Sequence, residues 1–191
     1  PTPEITDWVL DVLNQFNAKA TFFCIGNNIE KHPEIFQNIV TQGHVIGNHT
    51  HNHIKGWKTK TKDYIENVSK AQNEIDNQVN SLNNSETETS ITGIKKYPIK
   101  NLSRPPYGRI KPKQANKLMQ LGYQIIMWDV LSFDWDHDVA KEKCFENVIE
   151  NTVNGSIIVF HDSLKASENM RYVLPKTLDY YSKQGFTFKS L

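Results

Sequence analysis

Short apolar runs alternate with longer amphipathic stretches along the whole chain, and this alternation limits the fold more than any other feature. Apolar side chains recur at helical spacing over residues 5–16, and residues 20–25 form an apolar run typical of a buried strand. The same patterns predict helices over 33–41, 63–79, 113–120, 139–153 and 171–181, and strands over 43–47, 101–103, 122–128, 156–160 and 185–189. Strands that alternate with helices predict an α/β fold with a parallel sheet and helical crossovers.

The composition argues against two classes of partner. The chain has 191 residues, of which 38% are apolar, and this is enough for one domain with a substantial core. Its 22 lysines and arginines against 21 aspartates and glutamates leave no basic excess, so no nucleic-acid partner is indicated. The sequence lacks an apolar run of about 18 residues, so no transmembrane segment is predicted.

Neither an internal repeat nor a linker interrupts the chain, so we predict a single domain over residues 1–191. Residues 80–93 are poor in apolar side chains and predict a surface loop or an insertion. Cys24 and Cys144 follow no metal-binding spacing. Cys24 lies in an apolar run that predicts a core position, and a disulfide between the two cysteines stays open.

Histidines are concentrated in one short segment, Gly47-Asn48-His49-Thr50-His51-Asn52-His53. Neutral imidazole is a common protein ligand of zinc and similar metals. A spacing of four lets His49 and His53 point the same way if one helical turn follows the strand, and Thr50 is a candidate N-cap for that turn. Taken alone, the motif is more typical of a solvated turn. The hypothesis of a metal site therefore depends on the other polar clusters of the chain.

Polar clusters follow four of the predicted strands, at the point where each strand ends. They are the histidine segment and residues 104–108, 129–135 and 161–163. In folds with parallel strands, chemistry collects at the carboxyl ends of the strands. Four such clusters are hard to explain by packing, so their coincidence predicts an enzyme.

The stretch Arg104-Pro105-Pro106-Tyr107 predicts a rigid loop, because proline fixes φ and restricts the residue before it. Such a loop can present Arg104 to a carboxylate and direct the Tyr107 backbone N–H at a developing oxyanion. A simple turn at the end of a strand is the alternative, and the stretch taken alone favours it.

A third candidate group consists of His161, Asp134 and Trp135. His161 ends the apolar run 157–160, and a strand-end histidine is a typical general acid because imidazole titrates near neutral pH. Asp134 is a candidate partner that orients and tunes His161, with the indole of Trp135 shielding the pair from water. The alternatives are a histidine bonded to backbone, a capping aspartate and a core tryptophan.

Together these motifs resemble the polysaccharide deacetylase family, which is defined by chitooligosaccharide deacetylase (NodB) homology, along essentially the whole chain. Pro1 matches the last residue of the first motif, Thr-Phe-Asp-Asp-Gly-Pro, and residues 49–53 match the second, His-Ser/Thr-x-x-His. Residues 104–107 fit the third motif, Arg-x-Pro-Tyr, and residues 129–135 fit the fourth, Asp-x-x-x-x-Asp-Trp. His161 stands at the histidine of the fifth motif. Several ordered motifs are far more specific than any one of them.

The resemblance implies a deformed (β/α)7-type barrel. It also implies a metal-dependent hydrolase that removes acetyl groups from N-acetylglucosamine-containing polysaccharide, either peptidoglycan or chitin-like oligomers. His49 and His53 would bind the divalent metal, with zinc the first candidate and cobalt, nickel or manganese able to occupy the same kind of site. An exported or envelope-facing protein is further implied.

Residue roles follow from the same resemblance. His161 is expected to protonate the leaving amine, Asp134 to tune His161, and Arg104 to orient the base. The Tyr107 amide is expected to help hold the oxyanion. The expected substrate contacts come from Tyr107, Trp135 and Val159, where Val159 stands in place of the family's frequent leucine and would line the pocket for the acetyl methyl group.

One departure from the family pattern bears on activity. The two aspartates of the first motif, which the resemblance assigns as base and metal ligand, precede the position of Pro1 and are absent from the sequence, as is the first barrel strand. We expect a fragment that starts at Pro1 to be inactive or nearly so, unless an upstream segment exists.

Other functions stay open. They are a catalytically inactive domain that binds carbohydrate or metal, an acetylxylan O-deacetylase, and a scaffold whose histidines only face solvent. Four aromatic side chains are candidate surfaces for sugar stacking and equally candidate core residues: Trp57, Tyr107, Tyr123 and Trp135.

Overall fold

The computed structural model describes residues 1–85 and 97–191, which divide into two compact units. The first unit comprises Thr21–Ile126 together with Pro1 and Leu191, and the second comprises Thr2–Ala20 and Met127–Ser190. Each unit has its own parallel strands and its own helices.

The first unit contains a four-stranded parallel sheet in the order β1-β2-β3-β4. Its strands are β1 (Thr21–Cys24), β2 (Val45–Asn48), β3 (Leu102–Ser103) and β4 (Gln124–Ile125). In the register, Asn48 at the end of β2 lies opposite Cys24 on one side and Ser103 on the other. Because the strands are parallel, the chain segments that leave β1, β2 and β3 emerge at the same edge of the sheet.

Helices connect these strands. They are α2 (Gly26–Lys31), α3 (Pro33–Thr41), α4 (Thr61–Ser85) and α5 (Pro112–Gln120). Tyr64 and Val68, one turn apart on α4, form a fully buried cluster with Leu118 of α5. Burial of the Tyr64 hydroxyl raises its pKa to about 12, because the anion would lose its hydration.

The second unit combines three helices with a two-stranded parallel sheet. Its elements are α1 (Ile5–Gln15), β5 (Val130–Leu131), α6 (Lys141–Asn151), β6 (Ile158–Val159) and α7 (Ser167–Ser182). Val130 packs with Cys144 and Val148 of α6 and with Val173 of α7, and all four are fully buried. This core fixes the positions at which β5 and β6 end.

The predicted helices are all present, and the bounds of α3 agree with the sequence pattern. The helix α4 extends through Ser85, so the first residues of the segment predicted as a loop, 80–93, are helical instead. Residues 86–93 of that segment lie outside the described residues. Two short elements, α2 and β5, were not predicted, because six and two residues are too few to show a period.

The strand predicted over residues 185–189 is wrong, since these residues carry no strand. Lys19 donates its N–H to the Phe188 carbonyl at 3.1 Å, which does not extend into a ladder. The Phe186 ring packs against the Tyr181 ring of α7, with their centroids 5.0 Å apart. The aromatic alternation here therefore reflects packing on a helix rather than strand pairing.

The two cysteines and the described helices bear on the questions of a disulfide and of a membrane span. Cys24 and Cys144 are both buried free thiols, which rules out the disulfide between them. Burial raises the pKa of the Cys144 thiol. Among the described helices, none combines the length and apolar character needed to cross a bilayer.

Gly47 of β2 provides the first testable prediction, because a Cβ built there would lie 2.5 Å from ring carbons of its cross-strand neighbour Phe23. We expect Gly47→Ala to lower the free energy of unfolding by about 1–3 kcal/mol, as overpacking does. Denaturant unfolding measures the change. In a Phe23→Leu background the same substitution should cost less, because the ring is gone, and an equal cost in both backgrounds would contradict the steric explanation.

Candidate active site

His49 and His53 lie close together in the first unit. His49 directly follows β2, and its N–H donates to the Cys24 carbonyl at 3.0 Å, which continues the sheet pairing by one residue. The His49 and His53 rings have centroids 5.0 Å apart and planes at 56°. The two imidazoles therefore share one small region, as the metal-site hypothesis requires.

The local backbone that brings these rings together is a loop, so the predicted helical turn is wrong. Thr50 and His53 both adopt left-handed backbone conformations, with φ of 63° and 52°, which an α-helix excludes. The Asn67 side-chain oxygen of α4 accepts the N–H groups of His51 and Asn52 at 2.9 and 3.1 Å. Tertiary hydrogen bonds to α4 thus replace those of the helical turn.

His51, the middle histidine of the motif, has a different environment. Its side chain is only 3% exposed, and its Nε2 lies 3.6 Å from a carboxylate oxygen of Glu30. Its carbonyl accepts the Asn27 N–H of α2 at 3.0 Å. Gly26 must lack a side chain here, since a Cβ would lie 2.5 Å from His51 Nδ1. His51 is therefore a packing residue that joins the loop to α2.

Asn48, which the sequence reasoning did not single out, holds the loop in place. It is fully buried, and its side-chain oxygen accepts the Thr50 N–H at 2.9 Å while its amide nitrogen donates to the Val68 carbonyl at 2.9 Å. Its backbone carbonyl accepts the Arg104 N–H at 3.0 Å. In the sequence, the only sign of this role was that Asn48 is a polar residue at the end of an apolar strand.

The hydrogen bond between His49 and Arg104 fixes which imidazole nitrogen carries the proton. His49 Nδ1 lies 2.7 Å from the Arg104 carbonyl oxygen. A carbonyl only accepts, so Nδ1 must donate and Nε2 keeps its lone pair. Metal-ligating histidines commonly donate their other ring N–H to a carbonyl or carboxylate in this way, so His49 Nε2 is the candidate ligand atom.

The His49 and His53 imidazoles could supply two of the ligands that a metal ion needs. Two neighbouring imidazoles, one with its tautomer fixed, suit zinc, cobalt, nickel or manganese. Within residues 1–85 and 97–191, no group of three or more histidine, cysteine, aspartate or glutamate side chains comes together. A further ligand is therefore not assigned to any described residue.

Arg104 is held by packing and by a backbone acceptor. Its Nε donates to the Ile126 carbonyl at 3.2 Å, and its guanidinium lies 4.1 Å from the centroid of the Phe23 ring. Burial lowers the pKa of Arg104 to about 10, because the cation loses hydration. The side chain thus remains a cation at neutral pH. The expected role of Arg104 in orienting a base stays a prediction.

Tyr107 combines a strained backbone with an exposed ring. Its φ is 60° and its ψ is 13°, a left-handed conformation that costs energy for a bulky residue. In the described part of the chain its N–H has no acceptor, which is the state that an oxyanion-binding amide needs. The ring is 52% exposed, and its centroid lies 4.8 Å from that of His53 and 5.4 Å from that of Trp57.

In the second unit, Asp134 holds His161 by two hydrogen bonds. One carboxylate oxygen accepts the His161 backbone N–H at 2.7 Å, and the other lies 2.7 Å from its Nδ1. A carboxylate accepts here, so Nδ1 carries a proton and Nε2 is the nitrogen left to exchange one. Asp134 is 1% exposed, and Ser132 Oγ accepts its N–H at 3.3 Å.

Trp135, Val159 and Asp129, the other candidates of this unit, have distinct surroundings. The Trp135 ring is partly buried, with Lys165 Nζ 5.2 Å from its centroid. Val159 is 6% exposed, and the alternation of β6 directs it away from the face that carries Ile158. Asp129 accepts hydrogen bonds at 2.6 Å from Ser156 Oγ and from the Ile157 N–H, which lower its pKa and make it a clamp on the turn before β6.

Comparison with known sequences identifies the class of protein. Residues 1–126 match the model of the family described as "Polysaccharide deacetylase". The chain belongs to the polysaccharide deacetylase family, as the ordered motifs indicated.

Two curated relatives from Bacillus cereus are both named peptidoglycan-N-acetylglucosamine deacetylase. One is 35% identical over 85% of this chain and 53% of its own length. The other is 30% identical over 98% of this chain and 80% of its own length. The chain thus spans about half of the first relative and most of the second.

A solved structure supports the fold. The crystal structure of Bc1960, described as a peptidoglycan N-acetylglucosamine deacetylase, superposes on this chain with a TM-score of 0.86 at 30% identity. The match covers 100% of this chain and 81% of the other. This likeness confirms the predicted α/β fold of the deacetylase kind.

The role of Asn48 can be tested directly. Asn48→Ala leaves the buried Thr50 N–H without its acceptor and removes the second donor of the Val68 carbonyl, and we expect a loss of about 1–3 kcal/mol in the free energy of unfolding. Asn52→Ala, an exposed position in the same loop, is the matched control and should change stability by less than about 0.5 kcal/mol. Similar losses of stability in both variants would show that Asn48 has no special role in holding the loop.

Proposed function

We propose that this chain is a metal-dependent hydrolase that removes acetyl groups from N-acetylglucosamine-containing polysaccharide and works as a single catalytic domain over residues 1–191. The observation that carries the proposal is the His49–His53 pair, in which the Arg104 carbonyl leaves His49 Nε2 as the ligand atom. The relatives named as peptidoglycan-N-acetylglucosamine deacetylases support the choice of substrate.

The proposed reaction is hydrolysis of an amide, in which water adds to the acetyl carbonyl and the C–N bond then breaks to give acetate and a free amine. His49 and His53 would hold the divalent metal, with zinc as the first candidate. When bound, such a metal supplies Lewis acidity and makes water a stronger nucleophile at neutral pH.

The chain's own residues supply two further parts of the proposal, the hold on the oxyanion and the proton for the leaving nitrogen. The base that takes the proton of the attacking water is not assigned to any described residue, and the family resemblance gives that role to an aspartate that precedes the position of Pro1. The unpaired Tyr107 N–H donates to the oxygen that gains charge as the tetrahedral intermediate forms. His161 gives the proton on Nε2 to the departing nitrogen, while Asp134 accepts from Nδ1 and stabilises the ring's orientation. Val159 and Trp135 are assigned to contact with the acetyl group and the sugar. An extracellular or envelope location, where such a polysaccharide occurs, belongs to the same proposal.

Metal uptake gives the first test of the proposal. We expect the protein to bind about one zinc ion per chain by calorimetry, and His49→Ala or His53→Ala to abolish this binding, because each removes an imidazole of the pair. His137→Ala, which removes an exposed histidine outside the motif, is the control and should leave the stoichiometry intact. Zinc binding that survives both loop substitutions would disprove the assigned site.

Acetate release gives the second test, measured on N-acetylglucosamine oligomers with the longest natural form of the protein. We expect His161→Ala to lower the rate by about 10²–10⁴-fold, because the leaving amine loses its proton donor, while zinc uptake is kept. Asp134→Asn should also lower the rate, because an amide keeps one acceptor oxygen and places an NH2 donor against one of the two N–H groups of His161. A protein that takes up zinc but releases no acetate from amide or ester substrates would be a binding domain instead.

A further inference from the structure

Charge is strongly segregated in the first unit, although the whole chain has a net charge of only +1. Two segments, residues 50–62 and 104–122, contain no aspartate or glutamate, so apart from their histidines every charged side chain in them is a cation. These cations are Lys55, Lys58, Lys60, Lys62, Arg104, Arg109, Lys111, Lys113 and Lys117.

The fold joins the two segments. Gln114 Nε2 of α5 donates to the Gly56 carbonyl at 2.9 Å, and Lys111 Nζ donates to the Thr59 carbonyl at 2.8 Å. Further along, a shallow groove of about 640 Å³ between α4 and α5 is lined by Lys62, Lys113 and Lys117. Glu66 also lines this groove and lies 3.7 Å from Lys62 Nζ, so one of the three lysines is paired. Lysines of both segments therefore contribute to one surface of the first unit.

The part of this surface nearest the histidine pair is an aromatic–cation cluster of Lys55, Trp57, Tyr107 and Arg109. The Arg109 guanidinium lies 4.6 Å from the Trp57 ring centroid, and Lys55 Nζ lies 5.6 Å from that of Tyr107. The Tyr107 ring contacts both Trp57 and His53. The cluster thus begins at the proposed metal site and extends outward, with Lys55, Tyr107 and Arg109 exposed and Trp57 partly buried.

Arg109 is positioned without using its hydrogen-bond donors. Its guanidinium carbon lies over the Trp57 ring, a contact that attracts the cation to the ring face and uses none of its N–H donors. Over residues 1–85 and 97–191, Arg109 and Lys55 have no carboxylate partner. An exposed guanidinium without such a partner suits a carboxylate, which its planar fork of donors can bind through two parallel hydrogen bonds.

We propose that this aromatic–cation cluster binds carboxylate groups of an acidic glycan, so that the enzyme selects acetylated sugars that lie next to a carboxylate. The inference rests on the proposed deacetylase function and specifies its substrate class. The Trp57 and Tyr107 rings supply apolar faces for a sugar, and Arg109 and Lys55 supply the charge that a neutral chitin-like chain would leave unused. Peptidoglycan fragments have the chemistry that this cluster fits, because their peptides carry carboxylates and a lactyl group without a peptide carries one too.

Binding measurements with matched ligands test the inference separately from catalysis. The probes are a peptidoglycan fragment with free carboxylates, the same fragment with its carboxylates amidated, and a neutral N-acetylglucosamine oligomer. We expect Arg109→Gln to weaken binding of the acidic fragment by about tenfold or more, since a charge-assisted pair is lost. The amidated fragment and the neutral oligomer should change less than about twofold, and Lys55→Gln should act in the same direction with a smaller effect.

Lys189→Gln is the matched control, because it removes an exposed cation outside the two segments and should not affect binding of any of the three ligands. Equal effects of Arg109→Gln on acidic and amidated fragments would overturn the inference. So would tighter, Arg109-dependent binding of a glycerol-phosphate polymer, which would assign the cluster to phosphate. Arg109-dependent binding of the acidic fragment by a protein that releases no acetate would instead contradict the proposed hydrolase and leave the recognition of carboxylates standing.

Discussion

Asn48, whose buried side-chain amide is hydrogen-bonded on both sides, is the residue on which the histidine loop of the candidate site depends. It stands at the end of β2, where it accepts from the loop that carries the histidine pair and donates to α4. Its backbone carbonyl also accepts from Arg104, the first residue of the next loop. A buried amide costs free energy unless each of its groups is paired, so these contacts specify one arrangement of both loops.

Hydrogen-bond acceptors determine which nitrogen carries the proton in both candidate imidazoles. The Arg104 carbonyl fixes the proton of His49 on Nδ1, and the Asp134 carboxylate does the same for His161. In each ring Nε2 is then the nitrogen available for the role that we propose. The acceptors differ in charge, however, and this matches the proposed roles: a neutral carbonyl suits a metal ligand, whereas a buried carboxylate stabilises the cation that a proton donor passes through.

The sequence predicted the structure correctly where a helix or strand has its own regular spacing of apolar residues. The helices and most strands followed from apolar spacing, and the family followed from ordered motifs, of which residues 104–107 and the residues around His161 are part. It failed where neighbours outside the local segment decide the conformation. The loop after β2 is not helical because Asn67 of α4 binds its N–H groups, and residues 185–189 pack on α7 instead of pairing as a strand.

The sequence by itself determined the α/β class, the positions of the polar clusters at strand ends and the absence of acidic residues from two segments. Only the tertiary structure separated His51, which is buried against α2 and Glu30, from His49 and His53, which share one region. It also brought Arg109 onto Trp57 across more than fifty residues of chain. The physical reason is that periodicity records which side of an element is buried, whereas a ring's tautomer, burial and partners depend on groups that are distant in sequence.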